Sequence, residues 1–188
     1  MAYEWAKSNY SGKAVKKAGE SLIKADAGAL ERVNALQVLS DWRASHAYPL
    51  HAILILLRKQ STIVDKGAIV VRRLKRTPSI VSKLTRYPKM KLHRMQDIGG
   101  CRSIVSSVKN VEKLLDNLKN SSTSHVIHKV KNYIDEPKDT GYRGVHVIYK
   151  YNASKQEFKD YFIEIQLRSK IQHAWATAVE IVDTYTKC

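Results

Sequence analysis

The chain has 188 residues, 44% hydrophobic and 27% charged, which gives it the length and apolar content to bury a core and excludes a disordered chain. Its formal net charge of +16 is concentrated: residues 1–95 carry 19 basic and 6 acidic side chains, and residues 58–94 carry 12 and 1. That density points to a polyanionic partner, and membrane anchoring finds no support, because the apolar run at 50–57 is too short to span a bilayer and contains His51.

No signal-peptide pattern opens the chain, so a soluble protein of the cytoplasm is expected. Cys101 and Cys188 offer neither a zinc spacing nor a disulfide framework. The first 60 residues read as helices. In residues 25–46 Asp26 is the expected N-cap, and Leu30, Val33, Leu36 and Leu39 recur at helical spacing as the expected buried stripe. Pro49 fits the first turn of a following helix over 50–60. Beyond Lys66 the period changes to that of strands, expected over 67–75, 101–108, 124–134, 144–151 and 160–168. Helices are expected over 78–87, 111–120 and 169–185. The fold class is therefore α/β (α+β), one central sheet of about five strands with a helical N-terminal part. With no repeat and no linker the chain reads as a single domain, helical over 1–62 and sheet-bearing over 63–188.

Three stretches carry chemistry. In VVRRLKRTPSIVSKLTR, Arg72, Arg73, Lys75, Arg76, Lys83 and Arg86 surround Ser79 near a helix start, where cations and unpaired N–H donors together suit several phosphates. Without glycines this is not a Walker loop, and charge alone leaves a nonspecific nucleic-acid patch open. Asp97 precedes a strand beside Gly99 and Gly100, and Glu164 sits in FIEIQLR, whose Phe162, Glu164, Gln166 and Arg168 share one face. Two carboxylates on neighbouring strands amid cations suit magnesium and a phosphate-transfer centre, and an uncoordinated Glu164 is expected to ionise near about 4.3. In KDTGYRGVHVIYKY a turn delivers Tyr142, whose ring can stack on a base, with Lys138, Arg143 and His146 available to phosphate or ribose oxygens. Trp175 and His173 read as packing the last helix on the sheet, and Trp5 and Trp42 as helix-packing residues.

The motifs RRLKRTPSIVSKL, QDIGGCRSIV, VKNYIDEPKDTGYRGVHVIYKY and FIEIQLRSKIQHAWA together resemble the RelA/SpoT synthetase domain, the alarmone pyrophosphokinases, over roughly residues 65–180. No His-Asp signature of the alarmone-hydrolase metal domain is seen, so the chain resembles a small, synthetase-only member. The resemblance implies a nucleotidyltransferase-like sheet that transfers the β,γ-pyrophosphate of ATP to the 3′-hydroxyl of a nucleotide. By that pattern Arg73, Lys75, Ser79, Lys83 and Arg102 bind ATP, and Asp97 and Glu164 are catalytic and hold Mg2+, Glu164 also as base. Tyr142 stacks on the acceptor base, while Lys138, His146, Gln166 and Arg168 shape its pocket. Three departures bear on the acceptor: Thr140 where the family often has Asn, Gly144 where it has Ser, and Asn132 where it has an acidic residue. The acceptor therefore stays open between GDP or GTP, giving (p)ppGpp-type alarmones, and the 3′-terminal adenosine of tRNA, as in toxic small synthetases. An adenosine alarmone and a noncatalytic nucleic-acid module remain beside them. A homo-oligomer and, for a toxic member, an antitoxin are the further partners considered.

Overall fold

The computed structural model describes residues 4–152 and 155–186, so Cys188 lies outside the described residues. Three helices lead: α1 (Gly12–Ile23), α2 (Ala29–Ser45) and α3 (Ala47–Val64). There follow β1 (Ile69–Leu74), α4 (Thr77–Arg86), β2 (Gly99–Val105), α5 (Val108–Lys119), β3 (Val126–Asn132), β4 (Val145–Lys150), β5 (Phe162–Ser169) and α6 (Lys170–Thr186). Helix starts follow local chemistry. Ser11 Oγ accepts from the Ala14 N–H at 3.2 Å and Ser107 Oγ from the Asn110 N–H at 3.2 Å, each satisfying a first-turn donor. Pro78 stands in the first turn of α4, where no N–H is needed.

The strands form one mixed sheet in the order β1-β2-β5-β4-β3, with β2 and β5 parallel and the other pairs antiparallel. Its two faces have opposite characters because strand side chains alternate. Cys101, Val105, Val145, Val147, Tyr149, Ile163, Ile165 and Leu167 point to one face and form the main core with Leu50, Ile53 and Leu57 of α3 and Val111, Leu114 and Leu118 of α5. Each such fully buried Leu or Ile contributes about 1.5–3 kcal/mol. The other face carries Arg102, His146, Glu164, Gln166 and Arg168, so one layer of helices buries the apolar face and leaves a polar one for a site. The expected five-stranded α+β architecture with a helical N-terminal part is what the chain adopts. Among the described residues no helix is long and apolar enough to cross a membrane.

One expectation for α2 fails and another holds only in part. The helix begins after Gly28 rather than at Asp26, and no side chain caps it. Of the expected stripe Leu39 is buried as expected, but Leu30, Val33 and Leu36 are exposed, Leu30 at 74%; Ala35 is buried as well, and Trp42 packs against the cluster that holds Leu39. Spacings of three and four define two stripes on this helix, and contact with Val15 of α1 and with Ile80 and Leu84 of α4 selects the second.

His46, the single residue between α2 and α3, is buried between the rings of Trp42 and Tyr161, and its Nδ1–H donates to the Trp42 carbonyl at 2.7 Å. Burial pushes its pKa down from 6.5 to about 4, against the opposing pull of that hydrogen bond. The unfolded chain therefore binds a proton that the folded chain refuses, so stability is full above pH 6.5 and falls towards pH 4, by on the order of 3 kcal/mol. Thermal midpoints recorded from pH 7 to pH 4 should drop more steeply for the wild type than for His46→Phe; equal slopes would contradict this account.

Candidate active site

The polar sheet face is built in register. Parallel pairing of β2 with β5 sets Arg102 opposite Gln166 and Gly100 opposite Glu164, and antiparallel pairing of β4 with β5 sets His146 opposite Gln166. On β1 the alternation splits the double arginine. Arg72 reaches His51 of α3, with Nη1 3.2 Å from Nδ1, while Arg73 projects on the opposite side with Lys75 beyond it.

A cavity of about 210 Å³ opens on this face, lined by Arg73, Lys75, Asp97, Gly100, Arg102, Glu164 and Gln166. Lys75 and Lys83 both bind Asp97 Oδ2, at 3.1 and 2.7 Å. Asp97 Oδ1 is buried and has no hydrogen-bond partner among the described residues. The two glycines after Asp97 serve different ends: Gly100 lines the cavity, whereas a Cβ on Gly99 would lie 2.7 Å from Ile163 Cδ1, so Gly99 lets the core close. Ser79 lies exposed in the first turn of α4.

Beside this cavity a chain of hydrogen bonds runs across β5 and β4. Glu164 Oε1 lies 3.0 Å from His146 Nδ1, His146 Nε2 lies 2.7 Å from the Tyr142 hydroxyl, and Arg168 Nε donates to that hydroxyl at 3.1 Å. The directions close when Nδ1–H donates to Glu164 and Nε2 accepts from Tyr142. Gln166 ties the two halves together. Its amide NH2 donates to Glu164 Oε2 at 2.8 Å, and its Oε1 accepts from Arg102 at 3.0 and 3.2 Å and from Arg168 at 3.2 Å. Arg168 Nη1 is buried without a hydrogen-bond partner among the described residues.

Burial raises the Glu164 carboxyl, but the hydrogen bond from His146, with that of the Gln166 amide and the charge of Lys83, outweighs it and brings the pKa down to about 2. The expected value near 4.3 is thus corrected: Glu164 is ionised at every pH in ordinary use, and it is a weak base. Burial pushes the Tyr142 hydroxyl up and the Lys138 ammonium down. Burial likewise pulls down the Arg102 guanidinium, helped by Arg168 and Arg73.

Tyr142 is held tightly. The Lys138 ammonium and the Arg168 guanidinium lie 5.0 and 4.9 Å from its ring centre, and the Tyr133 ring meets it edge-on at 5.7 Å. The turn before it needs glycines: Gly141 has φ +74°, and Gly144 has φ +152° with space for a Cβ only 3.2 Å from both the Leu167 carbonyl and the Tyr142 hydroxyl. Gly144 in place of serine therefore suits this backbone. Asn132 binds Asp135 and the Ile134 N–H, closing the turn after β3. Arg143 is exposed and donates to the Ile134 carbonyl at 3.4 Å, away from the Tyr142 cluster. Ten of the residues singled out in the sequence, Arg73, Lys75, Lys83, Asp97, Arg102, Tyr142, His146, Glu164, Gln166 and Arg168, thus lie in or next to this one hydrogen-bonded face. Lys138 stands over Tyr142, while among the described residues Ser79 and Arg143 make no hydrogen bond to the network.

Trp175 corrects another expectation. It is 56% exposed and lines a second cavity with Thr140, Tyr142 and Lys138, instead of packing on the sheet. The buried residues at the start of α6 are Gln172 and Ala176.

Three comparisons with known proteins bear on this face. The family model described as the region found in RelA/SpoT proteins matches residues 72–187. GTP pyrophosphokinase YwaC of Bacillus subtilis (strain 168) is 34% identical over 112 residues, 56% of this chain and 52% of the relative. GTP pyrophosphokinase YjbM of the same organism is 32% identical over 112 residues, 57% and 52% of the two chains. The chain thus spans about half the length of the curated relatives it matches. Among solved structures, the small alarmone synthetase 1 from Bacillus subtilis bound to its product pppGpp superposes with a TM-score of 0.66 at 23% identity, over 77% of this chain and 80% of that one, a likeness of fold.

Proposed function

The chain belongs to the RelA/SpoT family, and from that membership we propose that it is a pyrophosphokinase that moves the β,γ-pyrophosphate of ATP to the 3′-hydroxyl of a nucleotide. The observation that carries this reading is the single cavity in which Arg73, Lys75 and Arg102 face two carboxylates, Asp97 and Glu164. Transfer to phosphorus asks a protein mainly to clamp the triphosphate, neutralise charge and align the attacking oxygen. Here Arg73, Lys75, Lys83 and Arg102 bind the phosphates. The acceptor O3′ bonds to the β-phosphorus as the bond from that phosphorus to the α,β-bridging oxygen breaks, and AMP departs. Glu164, a weak base, orients the hydroxyl by accepting its hydrogen bond, and the proton leaves late, ultimately to solvent. His146 and Gln166 hold that carboxylate in place.

The donor set also fits a magnesium ion. Asp97 Oδ1 is a buried carboxylate oxygen with no partner, and magnesium is commonly held by one or two carboxylates together with substrate phosphates. Asp97 and Glu164 would hold it, and when bound it neutralises phosphate charge. Removing divalent cations should abolish transfer.

The names of the matched relatives favour GDP or GTP as acceptor, giving (p)ppGpp-type products. A second reading, transfer to the 3′ end of tRNA, draws support from the 19 basic against 6 acidic residues in the first 95, more cation than a mononucleotide needs. The test offers γ-labelled ATP and magnesium with GDP, GTP or deacylated tRNA in parallel. Label on GDP or GTP is the expected result. Label on tRNA alone would install the second reading, and no labelled acceptor would overturn both.

A further inference from the structure

The acceptor turn ends against an open indole. A Cβ built on Gly141 would lie 3.7 Å from Trp175 Nε1 and 3.9 Å from Cζ2, so the Trp175 ring abuts the turn that carries Thr140 and Tyr142. The ring and the turn both line a cavity of about 370 Å³, to which Arg86, Lys138 and Glu180 also contribute. Its volume falls within the range of small-molecule sites, and it combines an aromatic wall with two cations and one carboxylate. Tyr142 on the other wall is already fixed: its hydroxyl has partners in His146 and Arg168, and two cations stand near its ring. The indole, 56% exposed, is the aromatic surface of this cavity still free to take a flat ligand.

We propose that Trp175 is the second aromatic wall of the acceptor slot: a purine base stacks on its indole, opposite the turn bearing Thr140 and Tyr142, and Arg86 and Lys138 face the phosphates of the same nucleotide. This rests on the reading of the face as a pyrophosphokinase site, and it names the residue that grips the acceptor. Stacking on an aromatic side chain is indifferent to which purine is offered, so Trp175 sets acceptor affinity and leaves the choice of base to polar groups such as Thr140.

The test has a binding arm and a kinetic arm. Indole fluorescence is titrated with GDP and with ADP, without magnesium, in the wild type and in Trp175→Phe. Quenching that saturates in the wild type and is lost in the variant is expected. Equal quenching in both proteins, arising from Trp5 or Trp42, or none in either, overturns the proposal. In the kinetic arm Trp175→Ala should raise the acceptor KM roughly 5- to 150-fold with the KM for ATP and kcat nearly unchanged, the pattern of lost uniform binding, and Trp175→Phe should recover most of it. An unchanged acceptor KM in an active, folded Trp175→Ala enzyme overturns it as well. If no nucleotide accepts pyrophosphate, the pyrophosphokinase reading fails, and the quenching titration alone decides whether the slot binds purines.

Discussion

Replacing Asp97 with asparagine is expected to lower kcat by at least about 10²–10³-fold, the scale seen when one preorganised electrostatic group is removed from a transfer site. Asparagine keeps the shape but removes the charge that draws in Lys75 and Lys83, at 3.1 and 2.7 Å, and it takes away the buried oxygen without a partner. Both lysines would then lack their carboxylate, and the cavity would gain net positive charge. ATP binding should survive or tighten through that charge, while the magnesium concentration needed for half-maximal rate should rise. Initial rates of label transfer across a magnesium titration check both points. Transfer within tenfold of the wild type, at the same magnesium midpoint, would show that Asp97 is a structural ion-pair partner only.

Glu164→Gln should lower kcat by about 10²–10⁴-fold, the range of a positioned group that handles a proton, with a smaller change in the KM for ATP. The variant loses the anion that His146 Nδ1 and the Gln166 amide both address, so the chain from Glu164 through His146 to Tyr142 loses its anchor. The pH dependence separates this role from that of an early base. With its pKa brought to about 2, Glu164 imposes no acid limb on kcat above about pH 4. Its folded pKa lies below the ordinary 4.5, so it contributes stability that is present above pH 4.5 and lost as pH falls towards 2. A wild-type acid limb near pH 4.5 that vanishes in Glu164→Gln would contradict the assignment.

How much of this was legible in the sequence depends on the range of the interaction. The polar face of β5 could be read from FIEIQLR, because alternation is a local property, and the inward Ile163, Ile165 and Leu167 are buried as that pattern requires. The same alternation separates Arg72 from Arg73. For α2 the periodicity marked Leu30, Val33, Leu36 and Leu39, but periodicity does not say which part of a stripe a neighbour covers, and of these four only Leu39 joins the cluster with Val15 of α1 and Ile80 and Leu84 of α4. The acidity of Glu164 was out of reach for a similar reason: it is set by His146, brought alongside by pairing of β4 with β5. Trp175 reads as packing in isolation. Only the arrival of Gly141 next to its ring gives it a second role.

The central claim is that both transferred phosphates leave ATP together. Incubating the protein with magnesium and ATP, with GDP, GTP or deacylated tRNA in parallel, and following each mixture by phosphorus NMR tests it most directly. The account predicts one AMP for each GDP that gains a 3′-diphosphate, with no orthophosphate released. ADP with orthophosphate, or ATP left intact with every acceptor offered, would contradict it.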